Sequence, residues 1–412
     1  MMSIMPKILP FLIFFLPFSP ALNPTEGIDL SIIRLFPFLL FGLWLTNGLQ
    51  KQKLTFDKKP VFWLWLLFLI FTSISFLWAE NPIWSLRKSL FLVSFLPFYL
   101  FSFSFYAQPN PSFSSHSLFK AFFASATLSA LIGLVQFGSA LFFSIETTLS
   151  FWQKIQVFFL GKTFASVTQN FPSFLVNING QNFLRAFGTF PDPHLFGAFL
   201  ALSFPFGVYF YQKKPSLLWF CSLFLIFLAL LLSFSRTAYF MFAGEGIFLL
   251  LFFFKKPTLL KMLFFLFFFC LPLFFLVNNP WKERLLTSFH FQEGSISGRL
   301  IMWEKAFQAF QTKPWIGVGL GNFPLFVKED ALLREPIYAH NLFLDFLAET
   351  GIFSLFLLLL IFFLPILQNL FFFSNSKKIL AIFFVGFLLY ALFEAPFFSL
   401  QLYPLFLVFL AL

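Results

Sequence analysis

Residues 343–367 read FLDFLAETGIFSLFLLLLIFFLPIL, and from Gly351 to Leu367 no residue is charged. A helix needs about 20 mostly apolar residues to cross a bilayer. This stretch supplies them, with its two acids, Asp345 and Glu349, at the leading end. The same pattern recurs along the chain. We read about twelve spans: 8–22, 30–47, 61–78, 89–106, 118–143, 195–211, 216–234, 237–254, 258–277, 343–367, 379–393 and 397–412. No small-residue cleavage pattern follows the first, so it reads as a span and not a leader.

Composition agrees. The chain has 412 residues, of which 59% are hydrophobic, 10% charged and 79 are Phe, with a mean hydropathy of +0.88. Soluble domains carry about 25% charged residues. A soluble enzyme, a disordered chain and a secreted disulfide scaffold are therefore excluded. The expected fold is all-α, a single polytopic membrane domain over 1–412 with a large outer loop before the tenth span. The net charge of +11 does not indicate nucleic acid, because the basic residues are scattered among apolar runs. Cys221 and Cys270 both fall inside such runs, which suggests neither a disulfide nor metal-ligand spacing.

Lys and Arg in short loops mark the cytoplasmic side. With twelve spans and a cytoplasmic N-terminus, the loops carrying Lys51, Lys53, Lys58 and Lys59, then Lys213 and Lys214, then Lys255, Lys256 and Lys261, then Lys377 and Lys378 all fall inside. The seven arginines (34, 87, 185, 236, 284, 299 and 334) fall on the outer side or at its membrane edge. Arg grips phosphate or carboxylate with a planar fork, while Lys is a point charge. An Arg-supplied outer face suggests an anionic ligand; the bland alternative is chance placement with interfacial snorkelling. Two outer segments are long, a first loop at 144–194 and a large periplasmic loop at 278–342, and they hold His194, His290 and His340. Loops of this length are commonly functional. No internal repeat stands out, which disfavours transporters built from inverted repeats.

Within the large loop, apolar residues at 300, 303, 307 and 310 follow helical spacing. Ser297 is placed to cap this amphipathic, interfacial helix. Arg299 then falls in the first turn, where the dipole disfavours a cation unless an anion is bound. Pro314 ends the helix, and Gly317, Gly319 and Gly321 follow, a spacing that suits a tight turn rather than a phosphate loop. His340 stands where the loop meets the tenth span and can serve as a base near neutral pH, or be a satisfied interfacial histidine. Asp345 and Glu349 are spaced i, i+4 and call for a cation between them, for which an arginine is the expected partner. Arg236, between two apolar runs, should line a wet cavity or pair with an anion. Glu245 lies roughly 14 Å further in at 1.5 Å per residue. Arg185, Asp192 and His194 are further polar candidates at the bent entry to the sixth span.

Taken in order, these residues resemble the O-antigen ligase and O-antigen polymerase family of bacterial membrane glycosyltransferases. The likeness rests on Arg185 with Gly188-Thr189-Phe190, Ser235-Arg236, Gly298-Arg299 with Trp303, Pro314 with Gly317 and Gly319, and Ala339-His340-Asn341 followed by Glu349 and Gly351. It covers 185–351 and departs at His194, where the family often has Asn. The resemblance implies a transferase that needs no metal or other cofactor, in the bacterial inner membrane with its active face periplasmic. Its donor would be a glycan on undecaprenyl diphosphate. Its acceptor would be a carbohydrate, either lipid A core or a second lipid-linked glycan. It further implies that Arg236 and Arg299 hold the diphosphate, that His340 activates the acceptor hydroxyl, and that Arg185 and Asn341 contact substrate.

Two other classes compete. A transporter or lipid-glycan flippase would want ionisable groups along a path through the bundle, where Glu245 is the one candidate. A non-catalytic scaffold for envelope assembly would tolerate loss of His340 and Arg299.

Overall fold

The computed structural model describes residues 5–25, 28–107, 114–162, 165, 172–178, 180–253, 294–328, 337–371 and 374–412. The expected ninth span at 258–277 lies outside them, as do Lys255, Lys256, Lys261, Cys270, Arg284, His290 and Arg334. Among the described residues, regular structure is helical except for two antiparallel hairpins. These pair Ala21–Thr25 (β1) with Ile28–Ser31 (β2), and Leu175–Ile178 (β3) with Gln181–Leu184 (β4).

In chain order the first helices are α1 Met5–Phe15, α2 Phe36–Gln50, α3 Pro60–Ile74, α4 Pro82–Ser94 and α5 Leu96–Ser102. Then come α6 Ser115–Phe142, α7 Ile145–Leu160, α8 Pro193–Lys213, α9 Leu217–Leu232 and α10 Arg236–Phe248. The last are α11 Gly294–Thr312, α12 Phe323–Val327, α13 Leu342–Leu370, α14 Asn375–Ala391 and α15 Leu402–Leu410. Side-chain caps set several of the starts: Asn81, Ser144, Asp192, Ser216, Ser235 and Asn341 each accept a first-turn N–H.

Six described helical stretches are long and apolar enough to cross a membrane: Ile32–Gln50, Pro60–Leu77, Pro82–Ala107, Ser115–Phe142, Pro193–Lys213 and Leu342–Leu370. Side chains such as Phe38 (72% exposed) and Phe142 (86% exposed) stand outward on them, which suits lipid and not water. The chain is an all-α polytopic membrane protein. The first apolar run is shorter than its composition suggests. Its helix stops by Phe18, and Ala21 already begins β1.

The chain forms two compact units. The first comprises Met1–Phe36, Ser112–His290 and Phe372–Gly386. In it α8 packs against α6, α9 and α10. Phe122 and Phe206 set ring edges against Phe383. Glu245 is 1% exposed here, and its carboxylate oxygens have no hydrogen-bond partner among the described residues.

The second unit comprises Pro37–Pro111, Phe291–Phe371 and Phe387–Leu412. Helix α13 packs against α3 and α11, and α15 against α5. Trp65, Phe362, Phe387, Phe397 and Phe406 interlock as one aromatic core. Helix α13 is broken at Gly351, whose φ of 78° and ψ of −175° are not helical. The segment after α11 fills the break. Ile352 N–H donates to Pro314 O at 2.9 Å, Val318 N–H to Ala348 O at 3.0 Å, and Gly319 N–H to Glu349 O at 2.8 Å. A broken helix leaves backbone polar groups that must find partners, and this segment supplies them. The glycine turn is thus part of the frame that holds the start of α13.

Candidate active site

The second unit gathers the polar groups. Helix α11 starts at Gly294, so Ser297 lies inside it and does not cap it, contrary to the sequence expectation. Arg299 accordingly sits in the second turn, away from the N-terminal amides. Its position is decided by the helix face. Ala306, seven residues on, and Ala309 are fully buried in a cluster with Phe323, Ala339 and Ala348. Leu300, Ile301 and Phe307 face outward at 44%, 52% and 49% exposure. The small alanines bring α11 close to α13, and the large apolar residues point the other way. Arg299 shares the alanine face and turns inward, where its Nη2 donates to Glu394 Oε1 at 2.7 Å. Among the described residues Glu394 is its ion-pair partner.

Glu394 also meets His340. Its Oε2 lies 3.2 Å from His340 Nδ1. His340 takes a left-handed backbone, φ 51°, which is uncommon for a residue other than glycine. Both neighbours fix it there. Asn341 Oδ1 caps α13, accepting from Phe343 N–H at 3.0 Å and Leu344 N–H at 3.1 Å. Ala339 N–H donates to Asp345 Oδ1 at 2.7 Å. The hydrogen bond to the Glu394 carboxylate holds the His340 pKa above the usual histidine value, although burial and the Arg299 charge oppose this. With a proton on Nδ1 facing Glu394, a neutral imidazole would leave Nε2 as an acceptor. The side chain is 49% exposed, so a substrate can reach it.

Behind His340 lies a buried ionic group. Of the two acids it is Glu349 that holds a cation, and the cation is a lysine from α4 and not an arginine; Asp345 Oδ1 accepts the Ala339 N–H instead. Lys88 Nζ is 2.6 Å from Glu349 Oε2, with both side chains 2% exposed.

The remaining candidates belong to the first unit. Arg236 is the first residue of α10, capped by Ser235. His194 Nδ1 lies 3.0 Å from Ser235 Oγ. Arg185 is 2% exposed, and its Nε and Nη1 donate to Ser233 O at 2.8 Å and Ser173 O at 2.9 Å. It fastens the β3–β4 hairpin to the turn that carries Arg236. Asp192 caps α8. Arg185, His194 and Arg236 are thus gathered around one turn. The substrate contacts expected of Arg185 and Asn341 meet side chains bound to backbone, the one to two carbonyls and the other to two amides.

Sequence reasoning missed Glu394 and Lys88. The signal for Glu394 was the same one that drew attention to Arg236: a lone charge between two apolar runs, here 379–393 and 397–412. Lys88 follows Arg87 at the entry to a span and reads as an ordinary interfacial charge. Only its burial distinguishes it.

Residues 221–359 match the family model described as O-antigen ligase. No curated protein matches the chain. The matched stretch contains Arg236, Arg299, His340 and Glu349, and leaves Lys88, Arg185 and Glu394 outside it.

Proposed function

On the premise that this chain belongs to the O-antigen ligase and polymerase family, we propose that it transfers a glycan from undecaprenyl diphosphate to a carbohydrate acceptor. The acceptor is lipid A core or a second lipid-linked glycan, and the reaction takes place at the outer leaflet of a bacterial inner membrane. The observation that carries this reading is the Arg299–Glu394–His340 group, a cation and a base fixed by one carboxylate. The acceptor hydroxyl attacks the anomeric carbon while its proton passes to His340 Nε2. The bond from that carbon to the diphosphate oxygen breaks, and the configuration inverts. Arg299 N–H groups stabilise the charge of the departing diphosphate, and the family resemblance assigns Arg236 the same role. Glu394 orients the imidazole and stabilises it once protonated. Arg185 supports the turn carrying Arg236, and Asn341 sets the helix start behind His340.

The purified protein, given a lipid-linked glycan and an acceptor, is expected to form the transferred product. Arg299→Lys and Arg236→Lys are each expected to slow it about 10-fold or more, since one charge-assisted hydrogen bond is worth roughly 1.5–3 kcal/mol. Fully active lysine variants at both positions would reduce the arginines to a general electrostatic role. Vesicle uptake without acceptor-dependent product would favour the transporter. A deletion strain accumulating undecaprenyl-linked polymer would mark a ligase, and one accumulating single repeat units a polymerase.

The lysine asymmetry supports an outward-facing catalytic end. In a background with Cys221 and Cys270 replaced by Ser, Trp315→Cys should react with an impermeant thiol reagent in intact cells, Trp315 being 75% exposed. Lys53→Cys should not. The reverse pattern would overturn the orientation.

A further inference from the structure

We propose that Lys88 is a positioning residue that holds His340 and Glu394 in register from behind. Its catalytic meaning rests on the transferase reading above, but the geometry can be tested without it. Lys88 is 3% exposed on α4. Its ammonium reaches three separate segments. It pairs with Glu349 on α13 at 2.6 Å. It lies 5.5 Å from the centroid of the Tyr338 ring, and Tyr338 comes two residues before His340. It also lies 4.2 Å from the centroid of the Phe398 ring, and Phe398 comes four residues after Glu394. The Tyr338 and Phe398 rings stack on each other, with centroids 5.8 Å apart and planes at 20°.

A cation withdrawn from water stays where its partners are, because every departure leaves it unpaired. The two ring faces attract it through their quadrupoles, and the carboxylate fixes its direction. The segment bearing the base and the segment bearing its orienting acid are therefore tied to a single buried charge. One turn earlier on α13, Asp345 accepts the Ala339 N–H and holds the backbone next to His340. No motif singled out Lys88, and the family match does not extend to it.

If Lys88 sets the pair, removing it should loosen the contact between His340 and Glu394 even where the protein stays folded. Lys88→Met alone would leave the Glu349 carboxylate buried without its cation, so the test combines Lys88→Met with Glu349→Gln. The purified full chain is treated with diethyl pyrocarbonate across a pH series, and His340 modification is read by peptide mass spectrometry. The reagent takes the neutral imidazole, so the midpoint reports how firmly the charged groups around it hold its proton. Those groups are Glu394 and Asp345, which favour the proton, and Arg299, which opposes it.

The unmodified protein should have its midpoint above the ordinary value of 6.5. In the double variant the midpoint should fall by about half a unit or more as the Glu394 contact weakens. Turnover should fall with it, while KM for the donor lipid stays constant. A folded double variant with an unmoved midpoint overturns the proposal. Should that variant fail to reach the membrane, Phe398→Leu keeps the Lys88–Glu349 pair and removes one ring. The same downward move is expected, and an unmoved midpoint again overturns the proposal. Absence of glycosyl transfer by the unmodified protein would count against the transferase reading only, leaving the midpoints to decide the role of Lys88.

Discussion

His340→Ala is expected to lower glycosyl transfer by about 10²–10⁴-fold, the usual contribution of a positioned general base. Donor-lipid affinity should stay close to that of the unmodified protein, because the arginines and not the imidazole face the diphosphate in the proposed mechanism. The pH dependence sharpens the test. The imidazole must be neutral to accept a proton, and the Glu394 hydrogen bond favours the charged form. Activity of the unmodified protein should therefore rise with pH and reach half its maximum above 6.5, the ordinary histidine value. Glu394→Gln keeps the shape of the side chain and removes its charge, so this limb should move to lower pH while the maximal rate also falls. Purified variants assayed for donor binding and for single-turnover transfer separate the readings. Near-unmodified transfer by His340→Ala would remove His340 from the mechanism. Weakened donor binding with unchanged turnover per bound donor would make it a donor ligand instead.

Gly351→Ala should be among the most destabilising single-methyl changes in the chain. The position has φ +78°, and a Cβ there would lie 2.4 Å from the Trp315 carbonyl oxygen and 2.7 Å from the Ile316 nitrogen. Left-handed backbone costs an L-residue roughly 1–2 kcal/mol. Overpacking costs typically about 1–3 kcal/mol more, and backbone atoms cannot swing aside as a side chain can. The combined loss of about 2–5 kcal/mol should appear as a lower unfolding midpoint of the detergent-solubilised protein. Gly317→Ala meets the same obstacle from the other side, since its Cβ would stand 2.3 Å from the Glu349 carbonyl carbon. Gly298→Ala is the control: nothing lies within 4 Å of that position, and it sits inside α11. There alanine should be neutral or stabilising by up to about 1 kcal/mol. Equal behaviour of Gly351→Ala and Gly298→Ala would mean that the close approach of the 314–319 segment to α13 does not constrain the fold.

Much of the candidate site was legible before any coordinates, because charges are scarce in this chain and each must have a reason to be there. Arg236 drew attention as a cation between two apolar runs, and His340 as an imidazole at the entry to a span. The three glycines after Pro314 read as a tight turn, and Gly317, Gly319 and Gly321 all have positive φ. The errors came from local rules applied where packing decides. Ser297 has the chemistry of a cap, yet α11 already runs from Gly294. The acids at 345 and 349 announced a cation, but nothing in their spacing could say that a lysine more than 250 residues earlier supplies it. The hydrogen bonds that tie Asn341 and Arg185 to backbone were likewise invisible in sequence.

The sequence by itself determined the membrane class, the helical fold and the short set of charged residues worth considering. It could do so because apolar length and the rarity of charge are properties of composition and order along the chain. Tertiary structure alone decided which of those charges meet. Glu394 joins Arg299 to His340 across gaps of 95 and 54 residues, and Lys88 lies beneath the segments that carry the pair. Such meetings depend on which helix faces pack together and where α13 breaks at Gly351. That packing is fixed by small side chains and interlocking rings distant in sequence, and no local pattern of residues encodes it.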